Sequence, residues 1–194
     1  MKNVMAIKIK NIKKTFNNKI ILTDINLIFP NNSISCIVGP SGCGKTTLLN
    51  IILGLLKADD GDVEGLDGRS MSAVFQEDRL CEGFTAYANI KLVCNPMCSE
   101  EMIYENLKQV DLKDAALKKV SQLSGGMKRR VAIVRAVMAN SDIIVMDEPF
   151  KGLDEKTKKK VIDYVKRNSK DKTVIITTHN LDEIEMLEAT LVKM

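Results

Sequence analysis

Hydrophobic and polar positions near the start of the chain follow the pattern of strands. Residues 4–12, VMAIKIKNI, alternate between apolar and polar, as in a half-buried strand. The segments KIILTDINLIFP and SISCIVG predict two further strands, the second of them buried over residues 34–38. From Lys45 to about Leu56, apolar residues recur at helical spacing. The order predicts antiparallel strands, then a buried strand that leads into a helix.

The second half of the chain alternates strand and helix patterns. MSAVFQ predicts a short strand over residues 71–76, and SDIIVMDEP and KTVIITTH predict buried strands. Helical patterns follow LSGG and cover GLDEKTKKKVIDYVKRN and LDEIEMLEA, whereas ADDGDVEGLDGRS is predicted as turn-rich loop. Strands that alternate with helices form mostly parallel sheets. We therefore expect an α/β fold with an N-terminal antiparallel β-subdomain.

Polar helical segments interrupt this alternation between about residues 85 and 122. Ser99 is a candidate helix N-cap, and Glu100 and Glu101 fall in the first turn, where acids are favourable. We predict a single domain over residues 1–194. In it, residues 1–84 and 123–194 form the core and about 85–122 form an inserted α-helical subdomain.

Composition narrows the classes of partner. The 194 residues carry a net charge of only +4, and aromatic residues make up 4%. The basic runs at residues 128–130 and 158–160 are interpreted as solvated helix faces, because a nucleic-acid footprint needs a strongly basic, clustered surface. No nucleic-acid partner is expected.

The cysteines and the apolar runs bear on the cellular compartment. The five cysteines (Cys36, Cys43, Cys81, Cys94 and Cys98) indicate reduced thiols in a cytosolic protein, with metal binding at Cys94 and Cys98 as the second interpretation. The N-terminal segment lacks an apolar signal core, and the longest apolar run, IILGLL, is too short to span a bilayer. Any membrane role must then come through a partner.

A phosphate-binding motif follows the first buried strand. GPSGCGKT, which begins at Gly39, fits G-x-x-x-x-G-K-[ST] and lies between a predicted strand and a predicted helix. The glycines let backbone N–H groups turn towards phosphate oxygens, Lys45 adds a positive charge, and the Thr46 hydroxyl can bind Mg²⁺. The motif predicts a P-loop NTPase core.

Two acids end the next buried strand. Asp147 and Glu148 in IIVMDEP stand where ligands bind in open α/β sheets. Adjacent strand residues point to opposite faces, which suits two roles. One carboxylate would hold Mg²⁺ through water, and the other would orient or deprotonate an attacking water.

Three further residues have two interpretations each. His179, the only histidine, is either structural or a donor to the terminal phosphate, and its place after a buried strand favours the donor. Gln76 is either a surface amide or a Mg²⁺ ligand. Phe16 is either a core residue or a plate on which a base stacks.

A second helix start with glycines lies at residues 123–126, LSGG. The N–H groups there can bind a phosphate, since a helix N-terminus carries unpaired donors and a partial positive charge. The alternative is a simple N-cap at Ser124 followed by flexible Gly125 and Gly126. Without a partner subunit the N-cap is the better interpretation.

Taken together, these motifs resemble the nucleotide-binding subunits of the ATP-binding cassette (ABC) family. The match covers the chain in the family's order: aromatic residue, P-loop, glutamine, LSGG, acid pair, GLD and histidine. VFQEDRLCEGFTAYANI and DEPFKGLD look like the nitrate, sulfonate and taurine importer branch.

The resemblance assigns each residue a role. Phe16 would stack on adenine, Glu148 would be the general base, and His179 would sense the γ-phosphate. The phosphates would be surrounded by Gly39, Ser41, Gly42, Cys43, Gly44, Lys45, Thr46 and Thr47. Mg²⁺ would be held by Thr46, Gln76 and Asp147, and Lys45 and Gln76 would act beside the base in catalysis.

The resemblance also implies a head-to-tail pair of subunits. Ser124, Gly125 and Gly126 of one copy would bind the ATP held by the P-loop of the other, and Asp154 would lie in a loop that crosses this interface. Met127 stands where the family usually has glutamine, Cys43 where a small residue is usual, and Val134 where alanine is usual. None of these departures touches the acid pair, so we expect hydrolysis.

The implied function is a Mg²⁺-dependent ATPase subunit of an ABC transporter, an importer by resemblance. Its partners would be a second copy, a transmembrane permease docked near residues 77–89, and, as a further candidate, an external solute-binding protein. Its place would be cytoplasmic, peripheral on the inner face of the cell membrane. The chain ends soon after His179, so no C-terminal regulatory domain is expected. The rival hypothesis is a soluble ATP switch that acts on a non-membrane partner.

Overall fold

The computed structural model describes residues 6–194, and the first two residues of the predicted N-terminal strand, Val4 and Met5, lie outside that range. Strand β1 (Ile7–Phe16) pairs antiparallel with β2 (Lys19–Phe29) across a two-residue turn. Both turn residues, Asn17 and Asn18, have positive φ angles of 45° and 63°. Asparagine tolerates this conformation, and such turns match the twist of a hairpin. The predicted antiparallel subdomain is confirmed.

A five-stranded parallel sheet forms the centre of the core. Its order is β5 (Met71–Val74), β6 (Ile143–Asp147), β7 (Thr173–Thr177), β3 (Ile34–Val38) and β8 (Thr190–Lys193). Every residue of β6 and β7 is buried, as expected for central strands covered on both faces. The carboxyl ends of β3, β6 and β7 therefore meet at one edge of the sheet.

Within residues 6–194, six α-helices surround the sheet. They are α1 (Lys45–Ile52), α2 (Ala86–Lys91), α3 (Glu100–Gln109), α4 (Gly125–Met138), α5 (Glu155–Asn168) and α6 (Leu181–Leu187). Two short 3₁₀ turns, Lys113–Ala115 and Val120–Gln122, precede α4. Ser99 caps α3 as predicted, accepting a hydrogen bond of 3.3 Å from the Met102 N–H. The division into a core and a helical subdomain stays a prediction.

Two hydrophobic clusters hold the elements together. One cluster packs α1 between the two sheets and includes Ile9, Phe29, Leu48 and Ile52. The other covers the opposite face of the parallel sheet with α4, α5 and the helical segment before them. Helix α1 is thus fixed by apolar contacts, and its N-terminus points into the edge where the strands end.

The structure corrects one helix boundary and adds two strands. Helix α1 ends at Ile52 and not near Leu56, because Gly54 follows with φ 69°, a common way for a helix to stop. The segment ADDGDVEGLDGRS, predicted to be turn-rich, contains a strand, β4 (Asp60–Glu64), which pairs with β1. Strand β8 was not predicted at all.

No helix in the described part of the chain combines the length and the apolar character needed to cross a bilayer.

Candidate nucleotide-binding and hydrolysis site

The P-loop connects the end of β3 to the start of α1, and its glycines are required by geometry. Gly44 has φ 98°, and a Cβ there would lie 2.5 Å from Leu22 Cδ2 of β2. Gly42 also has a positive φ, 81°. L-residues with side chains rarely adopt this backbone, so glycine lets the loop turn its N–H groups inward.

Lys45 lies in the loop with its charge held by carbonyl groups. Its Nζ donates hydrogen bonds to the carbonyl oxygens of Gly39, at 2.8 Å, and Pro40, at 3.0 Å. The residue is only 7% exposed. A buried ammonium bound to neutral carbonyls still favours an anion, because charge-assisted bonds to phosphate are stronger than neutral ones.

Asp147 joins the P-loop helix to the neighbouring strand. Its Oδ2 accepts a hydrogen bond of 2.7 Å from Thr46 Oγ1, and its Oδ1 accepts one of 2.6 Å from Thr177 Oγ1. Gln76 faces the same cleft. Hydroxyl, carboxylate and amide oxygens are the donors that Mg²⁺ prefers, and magnesium sites commonly keep several waters. The donor set fits Mg²⁺, although no group of three or more His, Cys, Asp or Glu side chains suited to a metal occurs within residues 6–194.

Glu148 follows Asp147 in a left-handed conformation, with φ 45°. Its Oε1 lies 2.8 Å from His179 Nε2, and its Oε2 accepts a hydrogen bond of 2.9 Å from Lys151 Nζ. The hydrogen bond from Lys151, reinforced by the charges of Lys151 and His179, lowers the pKa of Glu148 below its ordinary value. The carboxylate is therefore ionised at neutral pH, as a general base must be.

The prediction that the two acids point to opposite faces holds only in part. They contact different partners, yet both line the same cleft. The reason is the backbone: the strand ends at Asp147, and the left-handed Glu148 turns its side chain back towards the P-loop.

A cleft of about 360 Å³ brings most of the predicted site together. Of the residues predicted from the sequence, it is lined by Ser41, Gly42, Gly44, Lys45, Thr46, Thr47, Gln76, Asp147, Glu148 and His179. Gly39 and Cys43 belong to the loop behind this lining, where a Cβ on Gly39 would lie 2.7 Å from Cys43 Sγ. The cleft is polar and open on one side, which suits a charged ligand.

Three residues of the site were missed by the sequence analysis, and one of them, Ile21, contributes only to the lining of the cleft. Lys151 lines the cleft and binds Glu148, and Thr177 binds both Asp147 and the backbone N–H of Glu148. Thr177 could have been found, since it ends a buried strand two residues before His179. Lys151 carried no signal, because its contact depends on the left-handed backbone of Glu148.

Phe16 lies at the end of β1, outside the lining of the cleft. It is 43% exposed, which contradicts its interpretation as a core residue and leaves a ring surface for stacking. Lys14 Nζ lies 5.3 Å from the centroid of the ring, and Asp59 Oδ1 holds that ammonium at 2.6 Å. The contacts fix the lysine beside the ring.

The LSGG segment lies outside the lining of the cleft of its own chain. Ser124 caps α4, its Oγ accepting a hydrogen bond of 3.3 Å from the Met127 N–H. A Cβ on Gly125 would meet nothing within 4 Å, and Ser124 and Gly125 are exposed. Asp154, likewise exposed, caps α5 through the Thr157 N–H at 3.0 Å. None of these residues lines the described cleft, so the N-terminus of α4 is separate from the P-loop of the same chain.

Arg129 connects helix α4, which follows LSGG, to the loop around Gln76. Its Nη1 donates to the carbonyl oxygen of Phe75 at 2.6 Å, and its Nη2 donates to the carbonyl oxygen of Gln76. Its Nε lies 3.1 Å from Asp78. These contacts link α4 directly to the backbone of Gln76.

Comparison with known proteins agrees with this geometry. The profile of the ABC transporter family matches residues 22–151. The chain is 37% identical to the bicarbonate transport ATP-binding protein CmpD of Synechococcus elongatus over 90% of this chain and 68% of the relative. It is 38% identical to the aliphatic sulfonates import ATP-binding protein SsuB of Bacillus licheniformis, over 84% of this chain and 68% of the relative.

Solved structures show the same architecture. The ATP-binding cassette MJ0796, in a dimeric post-hydrolysis state bound to ADP and Pi, superposes with a TM-score of 0.79 at 34% identity, covering 93% of this chain and 90% of that one. The fold and the site thus define an ATP-binding cassette ATPase, with the predicted α/β class confirmed. The chain belongs to the ABC transporter family.

Proposed function

We propose that this chain is the Mg²⁺-dependent ATPase subunit of an ABC importer and works as a head-to-tail pair. One observation carries the proposal: the P-loop and the Glu148–His179 pair share one cleft, while the LSGG helix end of the same chain is exposed elsewhere. In a single copy, the P-loop cleft and the LSGG helix end each lack the other half of the site. Two copies related by a two-fold axis bring these halves together and complete two ATP sites at once.

In the paired state each triphosphate is held from two sides. The P-loop N–H groups and Lys45 bind its β- and γ-phosphates, and the N–H groups of Gly125 and Gly126 from the other copy face the terminal phosphate. Asp154, at the start of α5, lies on the surface that meets the second copy. The dimeric MJ0796 cassettes support this assembly.

Hydrolysis requires a base and a cationic surrounding. The ionised Glu148 accepts a proton from the attacking water, and His179, at 2.8 Å from its Oε1, is placed to donate to the terminal phosphate. Lys45 holds that phosphate in line with the water. Thr46, Gln76 and Asp147 would hold Mg²⁺, which would supply positive charge next to the phosphates.

A membrane subunit is the partner on which we propose that the ATP-driven pairing of the two copies acts. The segment 77–89 follows Gln76 and exposes Phe84, which is 49% accessible. Arg129 ties this segment, through Asp78 at 3.1 Å, to the helix that would contact the other copy's nucleotide. Similar chains are named as bicarbonate transport and sulfonate import ATP-binding proteins, which supports a permease partner and the inward direction.

The cellular placement follows from the permease. The chain would sit on the cytoplasmic face of the membrane through that contact, and an external solute-binding protein would complete an importer. The soluble-switch alternative is less favoured, because the similar chains bear transport names.

The test uses Glu148→Gln, with Glu185→Gln on the exposed face of α6 as the matched control. The control should hydrolyse Mg-ATP at the wild-type rate. Glu148→Gln should lose at least about a hundredfold in kcat, because a general base contributes 10²–10⁴-fold. It should also form an ATP-dependent dimer in sedimentation. Full turnover by Glu148→Gln would overturn the assignment of the base.

A further inference from the structure

We propose that Glu183 is a positioning residue that fixes the backbone on both sides of His179 and connects it to helix α5. The proposal rests on the proposed function, since His179 matters only if the cleft hydrolyses ATP. It concerns a buried acid that the hydrolysis scheme above does not use.

Glu183 is an unusual residue for its position on a short surface helix. It lies in the first turn of α6 and is only 7% exposed, whereas its neighbours Asp182 and Glu185 are exposed. A buried carboxylate is costly unless polar groups compensate it. The polar contacts of the Glu183 carboxylate therefore indicate its structural role.

The first contact reaches the residue before His179. Thr178 Oγ1 donates a hydrogen bond to Glu183 Oε2, and Thr178 is itself only 3% exposed. The same Thr178 hydroxyl oxygen accepts a hydrogen bond of 3.1 Å from the backbone N–H of Asn180. One carboxylate thereby orients a hydroxyl that holds the residue after His179 as well.

His179 is half-exposed and depends on this support. Its imidazole side chain is 46% accessible, and its contact with Glu148 at 2.8 Å is made from a short loop between β7 and α6. The backbone on its two sides is held by Thr178 and Asn180, so their fixation determines where the ring points. The Thr178 N–H also donates to the Ile37 carbonyl oxygen at 3.2 Å, which anchors the loop to β3.

The second contact reaches helix α5. Lys158 Nζ lies 3.8 Å from Glu183 Oε1 and 2.8 Å from Glu155 Oε1, and the Lys158 side chain is mostly buried. Helix α5 begins at the cap Asp154, which is exposed on the proposed dimer surface. A displacement of α5 on pairing would act on Glu183 through Lys158 and then on the His179 loop.

The experiment compares Glu183→Ala with Glu183→Gln and with the matched control Glu185→Ala on the same helix. Glu183→Ala should lower kcat about tenfold with KM for ATP within twofold, because the P-loop contacts are intact. Glu183→Gln keeps an oxygen that accepts the Thr178 hydrogen bond and should recover most of that loss. Wild-type kcat in Glu183→Ala would overturn the proposal.

A second readout separates positioning from simple destabilisation. His179 is the only histidine, so protein made without a histidine tag gives a single imidazole signal in ¹H–¹⁵N spectra. That signal should move or broaden in Glu183→Ala and stay unchanged in Glu185→Ala. In a His179→Ala background, Glu183→Ala should cause no further loss of kcat, as expected for residues that act in series. An unchanged imidazole signal, or an additive loss, would refute the positioning role.

Two safeguards keep the test decisive. If Glu183→Ala does not fold by circular dichroism, Thr178→Ala carries the same predictions, since it removes the hydroxyl between Glu183 and Asn180. If the wild-type chain shows no ATPase activity, the proposed function fails, while the imidazole signal still reports whether Glu183 orients His179.

Discussion

The hydroxyl of Thr177 donates a hydrogen bond of 2.6 Å to Asp147 Oδ1. Thr177 Oγ1 also accepts a hydrogen bond of 2.9 Å from the backbone N–H of Glu148. A single side chain on β7 therefore positions both Asp147, the last residue of β6, and Glu148, which follows it. Thr177 is fully buried. The relative placement of Asp147, the proposed metal-binding acid, and Glu148, the proposed general base, therefore depends on a neighbouring strand.

Thr177→Val should uncouple these acids. The isosteric valine leaves Asp147 Oδ1 and the Glu148 N–H without this partner, and an unpaired buried polar group costs about 1–3 kcal/mol. We expect a lower melting temperature and a loss of kcat of about tenfold or more in a steady-state ATPase assay. Thr177→Ser keeps the hydroxyl and serves as the control, with activity near that of the wild type. A valine variant as active as the serine variant would speak against the coupling.

Lys151 predicts a shift in the pH dependence of hydrolysis. Its hydrogen bond is the first cause of the lowered pKa of Glu148, so Lys151→Ala should raise that pKa. A base with a raised pKa is protonated at higher pH, and the acid limb of the kcat profile should move upward in pH. Lys159→Ala, an exposed lysine on α5, is the control.

The shift caused by Lys151→Ala should shrink at high salt. The lysine side chain is 66% exposed, and salt screens interactions between exposed charges. The contradicting result is an acid limb that stays at the same pH in Lys151→Ala and in the wild type at low salt.

Two exposed phenylalanines should separate nucleotide binding from partner binding. Phe16 is 43% and Phe84 49% exposed, and they lie in different parts of the chain. Stacking of a base on an aromatic ring contributes about 1–3 kcal/mol. Phe16→Ala should thus raise the Kd for ATP by about fivefold or more in calorimetry, while Phe84→Ala leaves it unchanged.

The reverse pattern applies to the membrane complex. Phe84→Ala should reduce co-purification with the permease from membranes, and Phe16→Ala should retain it. If the two variants gave the same pattern in both assays, the assignment of separate surfaces would be wrong.

The fold could be predicted where the sequence has strong local signals. The buried strands β6 and β7 are largely apolar in sequence. The P-loop glycines predict a tight turn, which the φ of 98° at Gly44 confirms. Strand β4 was missed because its sequence, DGDVE, is polar and its stability comes from pairing with β1, including the ion pair of Lys10 with Glu64 at 2.6 Å. Only the three-dimensional pairing reveals such a strand.

The sequence predicts which residues form the site, but not the contacts between them. The sequence places Lys45, Asp147 and His179 after strands, and parallel strands bring such positions together. It could not show that Lys151 binds Glu148, since that contact needs the positive φ of Glu148. Nor could the sequence show the hydrogen bond from Arg129 Nη2 to the Gln76 carbonyl oxygen, because these residues lie far apart in the chain.

The central claim is that each ATP lies between the P-loop of one copy and the LSGG end of another. Cys43 supplies a native thiol in the P-loop, and Ser124→Cys adds one at the helix end, in a Glu148→Gln and Cys81→Ser background that removes hydrolysis and the exposed thiol. Cys36 stays inert because burial raises the pKa of its thiol to about 12.

A short bismaleimide in the presence of Mg-ATP is the most direct measurement. The account predicts a covalent species of two 21.6 kDa copies, with Cys43 joined to the new cysteine at position 124 when the peptides are analysed by mass spectrometry. The species should disappear without nucleotide or when Ser124 is left unchanged. An ATP-dependent dimer in which these two thiols never become linked would contradict the account.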